Sequence, residues 1–212
     1  GWLHTCGIDD TNHAYCWGDN TLGAIGQGVS DTTQRLDPVA VINGPEMIDM
    51  ASGWRHTCGI TKLNQVVCWG AGYTGQGGNG STAWAGSPTA VLSSVKFVRV
   101  AAGLSAAATA LDADNDVGTT CALSDRGKAY CWGYNYSGQV GDGSTVTRYS
   151  PVRVLGGLVF TNIQLGANHV CARKGAAMWC WGSNQFGQIG RAIAQTPAVV
   201  TSPMGVSAPF SP

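Results

Sequence analysis

Charge is scarce in this chain. Lysine, arginine, aspartate and glutamate make up 11% of its 212 residues, against roughly 25% in average domains, and glutamate occurs once, at Glu46. Twelve basic residues offset twelve acidic ones, so no long-range field favours nucleic acid or an anionic membrane surface. Long apolar runs are missing too. The best candidate, Val100 to Leu111, is alanine-rich and falls short of the roughly 18 to 20 residues that span a bilayer, so no membrane insertion is expected. The chain begins at Gly1 without an initiator methionine or a basic and apolar leader, and reads as a processed product or an excised piece. The minimal parts of common enzymes are also absent: no GxSxG elbow, no HExxH helix, no GxGxxG opening a helix and no phosphate loop. The chain is therefore read as non-enzymatic, with no cofactor required.

What is abundant is glycine, with 31 residues, and a repeat. HTCGIDDTNHAYCWG (4–18) returns as HTCGITKLNQVVCWG (56–70), TTCALSDRGKAYCWG (119–133) and HVCARKGAAMWCWG (169–182). The CWG tryptophans, Trp17, Trp69, Trp132 and Trp181, stand 52, 63 and 49 residues apart, a period that suits propeller blades and not helical solenoids. Glycine-rich tails of GQxG type follow each CWG, and Pro38, Pro88 and Pro151 each stand fifteen residues before Gly53, Gly103 and Gly166. The HTC and CWG segments read as strands joined by hairpin turns, the PVxV segment as a third strand and FVRVAAG or FTNIQLG as a fourth. These features predict one all-β domain over 1–212, built of propeller blades with four short antiparallel strands each. Its units run approximately over 1–52, 53–102, 103–165, with an insertion at 104–117, and 166–212.

The consensus HTCALxxxGxxYCWGxNxxGQxGxG, followed by PxxV and an AAG triplet, resembles the repeat of the regulator of chromosome condensation family across essentially the whole chain. The resemblance implies radial four-stranded blades, normally seven, and family roles that include guanine-nucleotide exchange, chromatin association and, in a secreted bacterial member, beta-lactamase inhibition. It implies no conserved catalytic centre. Four units stand here where seven are usual, and each carries a cysteine pair.

Those pairs are Cys6 and Cys16, Cys58 and Cys68, Cys121 and Cys131, and Cys171 and Cys180. Each flanks a predicted hairpin turn almost symmetrically, which places two sulfurs on neighbouring strands, and a within-hairpin bridge is the one pairing that serves all four units alike. Four local disulfides imply an oxidising compartment, so the expected location is extracellular or at the cell surface. Zinc ligation competes poorly, because His4, His56 and His169 lie on separate blades; each is expected to hydrogen-bond the backbone of its own blade.

Two further features invite a ligand. Asp112, Asp114 and Asp116 alternate in the insertion as oxygens do at positions 1, 3 and 5 of a calcium loop, although Val117 stands where glycine belongs and Leu123 where a bidentate glutamate belongs. They are read as a candidate calcium site, against the alternative of a solvated acidic loop. Trp2, Trp54, Trp84, Tyr134 and Tyr136 lie outside the core pattern and are read as a surface for a protein or glycan partner. The turn SDRGK (124–128) is similar to the Asp-box turn of sialidases, and Asn79 and Asn135 sit in glycan-acceptor tripeptides.

Counting fifteen residues from Pro197 ends on Pro212, which leaves three arrangements open: residues 204–210 supply the first blade's leading strand within one molecule as a closed four-bladed ring, they supply it to another molecule in a shared ring or polymer, or the chain is part of a larger propeller. The function these features predict is an extracellular binding scaffold. The alternatives are a structural subunit assembled by interchain blade completion and, more remotely, a guanine-nucleotide exchange factor.

Overall fold

The computed structural model describes residues 1–104, 117–191 and 196–206. Their strands form four antiparallel sheets, each a meander of sequential neighbours. The first sheet holds β1 (His4–Ile8), β2 (Ala14–Gly18) and β3 (Arg35–Ala40). The second holds β4 (Met47–Ser52), β5 (His56–Thr61), β6 (Val66–Gly70) and β7 (Ala85–Ala90). The third holds β8 (Phe97–Leu104), β9 (Gly118–Ser124), β10 (Ala129–Gly133) and β11 (Arg148–Arg153). The fourth holds β12 (Asn162–Leu165), β13 (His169–Lys174), β14 (Ala177–Ser183) and β15 (Val199–Gly205).

The four strands counted within one sequence unit do not share one sheet. β4 closes the first unit but pairs with β5 of the second, and β8 and β12 likewise pair forward with β9 and β13. Each of the last three blades therefore takes its inner strand from the preceding unit, which carries the backbone across every junction, and the first sheet has three strands. The register also corrects the expectation built on Pro197. Met204 pairs with Cys180 as Val39 pairs with Cys16 and Val152 with Cys131, so Pro203 occupies the place of Pro38, Pro88 and Pro151. Met204 thus lies on the outer edge of the last blade, not on the first, and residues 207–212 lie outside the described residues.

The CWG motif ends in glycine for a steric reason. At Gly18, Gly70, Gly133 and Gly182 the backbone turns to φ of 104°, 93°, 99° and 103°, and an added Cβ would stand 2.3–2.5 Å from a carbonyl oxygen of the neighbouring strand's entry. The ladder to the outer strand slips at the same point, so the motif is a built-in bulge.

Inner strands β4, β8 and β12 lie side by side around a common opening lined by Asp49, Arg99 and Gln164. Across it the Val100 amide donates to Asp49 Oδ2 at 2.9 Å. Three apolar cores join consecutive blades, with Trp69, Trp132 and Trp181 buried in one each. Trp17, the equivalent residue of the first blade, is only half-buried, because the tail of a preceding blade is what covers the other three.

Candidate functional site

The four blades are each stapled across the central hairpin. Cys6–Cys16, Cys58–Cys68, Cys121–Cys131 and Cys171–Cys180 are bonded, with Cα atoms 4.1 Å apart in every case. Each pair consists of residues directly opposite in the ladder. No free cysteine occurs among the described residues.

His4 and His56 do not bond the backbone of their own blades, as expected from the repeat, but reach the next one. His4 Nε2 lies 2.8 Å from Thr57 Oγ1, and His56 Nε2 lies 3.0 Å from Thr120 Oγ1. Each threonine hydroxyl in turn donates back to a tail carbonyl of the histidine's blade, Ala24 or Gln76, at 3.0 Å. Since that hydroxyl has one proton to give, the ring must donate through Nε2. Burial, the largest cause, depresses the His56 pKa to about 4; burial followed by the positive Gly1 amino group and His56 depresses that of His4 to about 3. The histidines therefore lock blade to blade. Asn135 is likewise structural: it is fully buried, and its amide donates to the Val146 carbonyl at 2.9 Å, which removes it as a glycan acceptor in the folded chain.

Asp112, Asp114 and Asp116 lie outside the described residues. Among the described residues no group of His, Cys, Asp and Glu could hold a metal ion.

The aromatic side chains singled out in the sequence share one face. In each blade this face collects the segment before the HTC strand, the tail after CWG and the entry to the outer strand. Trp2 and Trp54 stack there, with ring centroids 4.5 Å apart and planes 13° from parallel. Trp84 packs separately, against Gly23 of the first tail. Tyr134 and Tyr136 meet at 4.9 Å, and burial, followed by Tyr136, raises the Tyr134 pKa. Those two join Tyr73 and Tyr149 around a cavity of about 360 Å³ between the second and third blades, with Thr74, Thr147 and Val117 completing the wall.

Four of the chain's six tyrosines thus converge on one uncharged cavity. Its shape is firmly held. The Gly80 amide donates to the Tyr149 carbonyl at 2.9 Å, and Gly75 sits against Tyr149 so closely that an added Cβ would stand 2.7 Å from the ring. Tyr73 and Tyr149 were not singled out from sequence. Tyr73 had a signal, since it occupies the tail position of Tyr136; Tyr149 had none, because its approach depends on how the outer strand meets the neighbouring tail.

Antiparallel four-stranded sheets set radially about a common opening, each taking its inner strand from the preceding repeat, define a β-propeller. Residues 126–173, and separately 1–24 with 47–76, match the regulator of chromosome condensation (RCC1) repeat. The chain belongs to that repeat family. It is 30% identical over 172 residues to the E3 ubiquitin-protein ligase HERC2 of Homo sapiens, covering 79% of this chain and 3% of that protein. To the ultraviolet-B receptor UVR8 of Arabidopsis thaliana it is 32% identical over 158 residues, covering 73% of this chain and 32% of the receptor. The chain thus spans a third or less of these relatives.

Among solved structures, yeast RCC1 (Prp20) bound to Kap60 superposes with a TM-score of 0.79 at 20% identity, over 98% of this chain and 47% of that one. That likeness concerns the fold. Another structure of Prp20p, from Saccharomyces cerevisiae, is described together with its binding to Gsp1p and histones. Four disulfides point to a non-cytosolic setting, and among the described residues no helix is long and apolar enough to cross a membrane.

Proposed function

We propose that this chain is a secreted, non-enzymatic platform that binds a protein partner through the tyrosine-lined cavity between its second and third blades. The observation that carries this reading is the convergence of Tyr73, Tyr134, Tyr136 and Tyr149 on one cavity held by two blades. Tyrosine supplies a large contact area with few rotatable bonds and a hydroxyl at the rim, which is the composition of binding hot spots. Among the described residues the cavity lining holds no carboxylate, amide or guanidinium side chain to grip a sugar's hydroxyl pairs, which favours a protein partner over a glycan. Protein binding by the RCC1-type propellers described above, to Kap60, Gsp1p and histones, supports the same reading by analogy of fold. The disulfides support secretion, since such bridges persist in oxidising compartments.

Panning a random peptide display library on the disulfide-bonded protein tests the proposal. Tyr73 and Tyr136 are exposed, so Tyr73→Ala and Tyr136→Ala leave the fold intact. Selected peptides are expected to lose at least about tenfold in affinity for the double variant, the size of one hot-spot contact. Peptides that bind parent and variant equally would remove the cavity from the proposed function.

A further inference from the structure

The same two blades carry a second cavity at the opposite end of their strands. β9 and β11 begin beside the tyrosines, at Gly118 and near Tyr149, and end at Ser124 and Arg153, which line a cavity of about 410 Å³ on the other face. Lys96, Arg126, Lys128 and Arg153 all border it, four of the chain's twelve cations, with Asp125 as the one carboxylate. In a protein with so few charges this is a local concentration of positive charge.

The site is constructed, not merely crowded. Ser124 Oγ accepts the amides of Arg126 and Lys128 at 3.3 and 3.1 Å, and Gly127 takes φ of 66°, so the SDRGK turn presents both cations in a fixed order. Lys96 Nζ donates to the Leu63 carbonyl at 2.9 Å and Lys128 Nζ to the Gly157 carbonyl, which anchors each ammonium by one donor and leaves two for a ligand. Elsewhere Arg35, Lys62 and Arg148 are each paired with a carboxylate, but none of the four cavity cations forms an ion pair among the described residues. Tyr130 closes the cavity, its ring set edge-on to buried Phe97 at 5.7 Å.

We infer that this cavity is an anion-recognition site for an acidic segment of a protein partner. Guanidinium forks suit carboxylate oxygens. Val95 in the cavity wall and exposed Val159, which packs against Gly127 of the turn, add apolar surface that a peptide's side chains can use and a nucleic-acid backbone cannot. The zero net charge likewise provides none of the long-range attraction on which polyanion binding depends. The inference rests on the platform reading but not on the tyrosine cavity.

Fluorescence anisotropy with a fluorescein-labelled hexaglutamate peptide, a hexaglutamine control and a single-stranded oligothymidine tests it. Hexaglutamate is expected to bind saturably, with affinity falling as salt rises and the Debye length shrinks from about 10 Å toward 3 Å. Arg126→Gln with Arg153→Gln, both exposed positions, should weaken it at least about tenfold, whereas Lys174→Gln, which removes the same type of charge from the fourth blade, should not. Tyr73→Ala should leave it unchanged, so this site and the tyrosine cavity can fail separately. Hexaglutamate binding no tighter than hexaglutamine, equal binding by the double arginine variant, or tighter binding of the oligothymidine would each overturn the inference.

Discussion

His56 and Thr120 meet at 3.0 Å across the junction of the second and third blades, 64 positions apart in the chain. The imidazole is neutral there, because burial holds the His56 pKa at about 4 in the folded chain against about 6.5 when it is exposed on unfolding. Above pH 6.5 both states are neutral and the contact carries no proton penalty. Below it the unfolded chain binds a proton that the folded chain refuses, so stability falls as pH drops from about 6.5 to about 4 and levels off beneath that. The loss across the window is of order 3 kcal/mol. Chemical denaturation at a series of pH values should show a slope in this window to which His4 and His169, both also lowered by burial, add in the same direction, and His56→Gln, which does not titrate, should remove the His56 share and leave the rest. A parent slope unchanged in His56→Gln would show that the titration lies elsewhere.

The junction tryptophans differ in one hydrogen bond. Trp132 and Trp181 donate to the carbonyls of Gln76 and Gln139, each at 2.9 Å, whereas the equally buried Trp69 indole N–H has no partner among the described residues. Replacing either Trp132 or Trp69 with Phe removes similar volume, so the difference between the two losses isolates the bond. Trp132→Phe should cost about 1 kcal/mol more than Trp69→Phe in denaturant unfolding. Equal losses would assign the indole nitrogen no role in blade docking.

Glycine at the start of the first, second and fourth units makes room for the histidine ring that follows it. An added Cβ on Gly53 would stand 2.3 Å from His56 Cε1 and 2.9 Å from the Gly103 carbonyl, while one on Gly7 meets nothing within 4 Å. Gly53→Ala should therefore destabilise by about 1–3 kcal/mol through overpacking. Gly7→Ala should be neutral or stabilising by up to about 1 kcal/mol, since it removes backbone freedom from the unfolded chain. Thermal melts of the two variants should move in opposite directions or differ by several degrees.

The blade, its period and its four bridges were legible because each is set by residues within one hairpin or one repeat. Cys6 and Cys16 face each other through local strand pairing alone. Features set by how one blade meets another were not. The His4 and His56 partners lie in the next unit, and the place of Pro203 emerges only from the Cys180–Met204 pairing, since Pro197 followed by alanine and valines offers the same PxxV pattern nearby. Of the tyrosine cavity, Tyr134 and Tyr136 were visible as loop aromatics, but Tyr149 enters from a neighbouring strand. The basic cavity was missed for a related reason: Lys96, Arg126 and Arg153 come from three separate segments whose convergence depends on the radial arrangement of blades.

The last prediction concerns the bridges themselves. Closing a loop of about ten residues contributes on the order of 2–3 kcal/mol in the chain-entropy model, so four such bridges supply about 10 kcal/mol, comparable with the whole net stability of a domain, roughly 5–15 kcal/mol. That figure is an upper bound, because a short hairpin is already partly ordered in the unfolded ensemble. Half of it would still shift the melting temperature by ten degrees or more at the roughly 2–4 °C per kcal/mol expected for this size. The bridges also differ in access, since Cys58, Cys68, Cys121 and Cys131 are buried whereas Cys6 and Cys171 are only half-buried. Graded reductant should therefore release thiols from the first and fourth blades before the second and third, and peptide mapping after alkylation reads that order. Melting of the fully reduced chain at the temperature of the oxidised one would show that blade packing alone holds the fold. It would also remove the stability argument for an oxidising compartment.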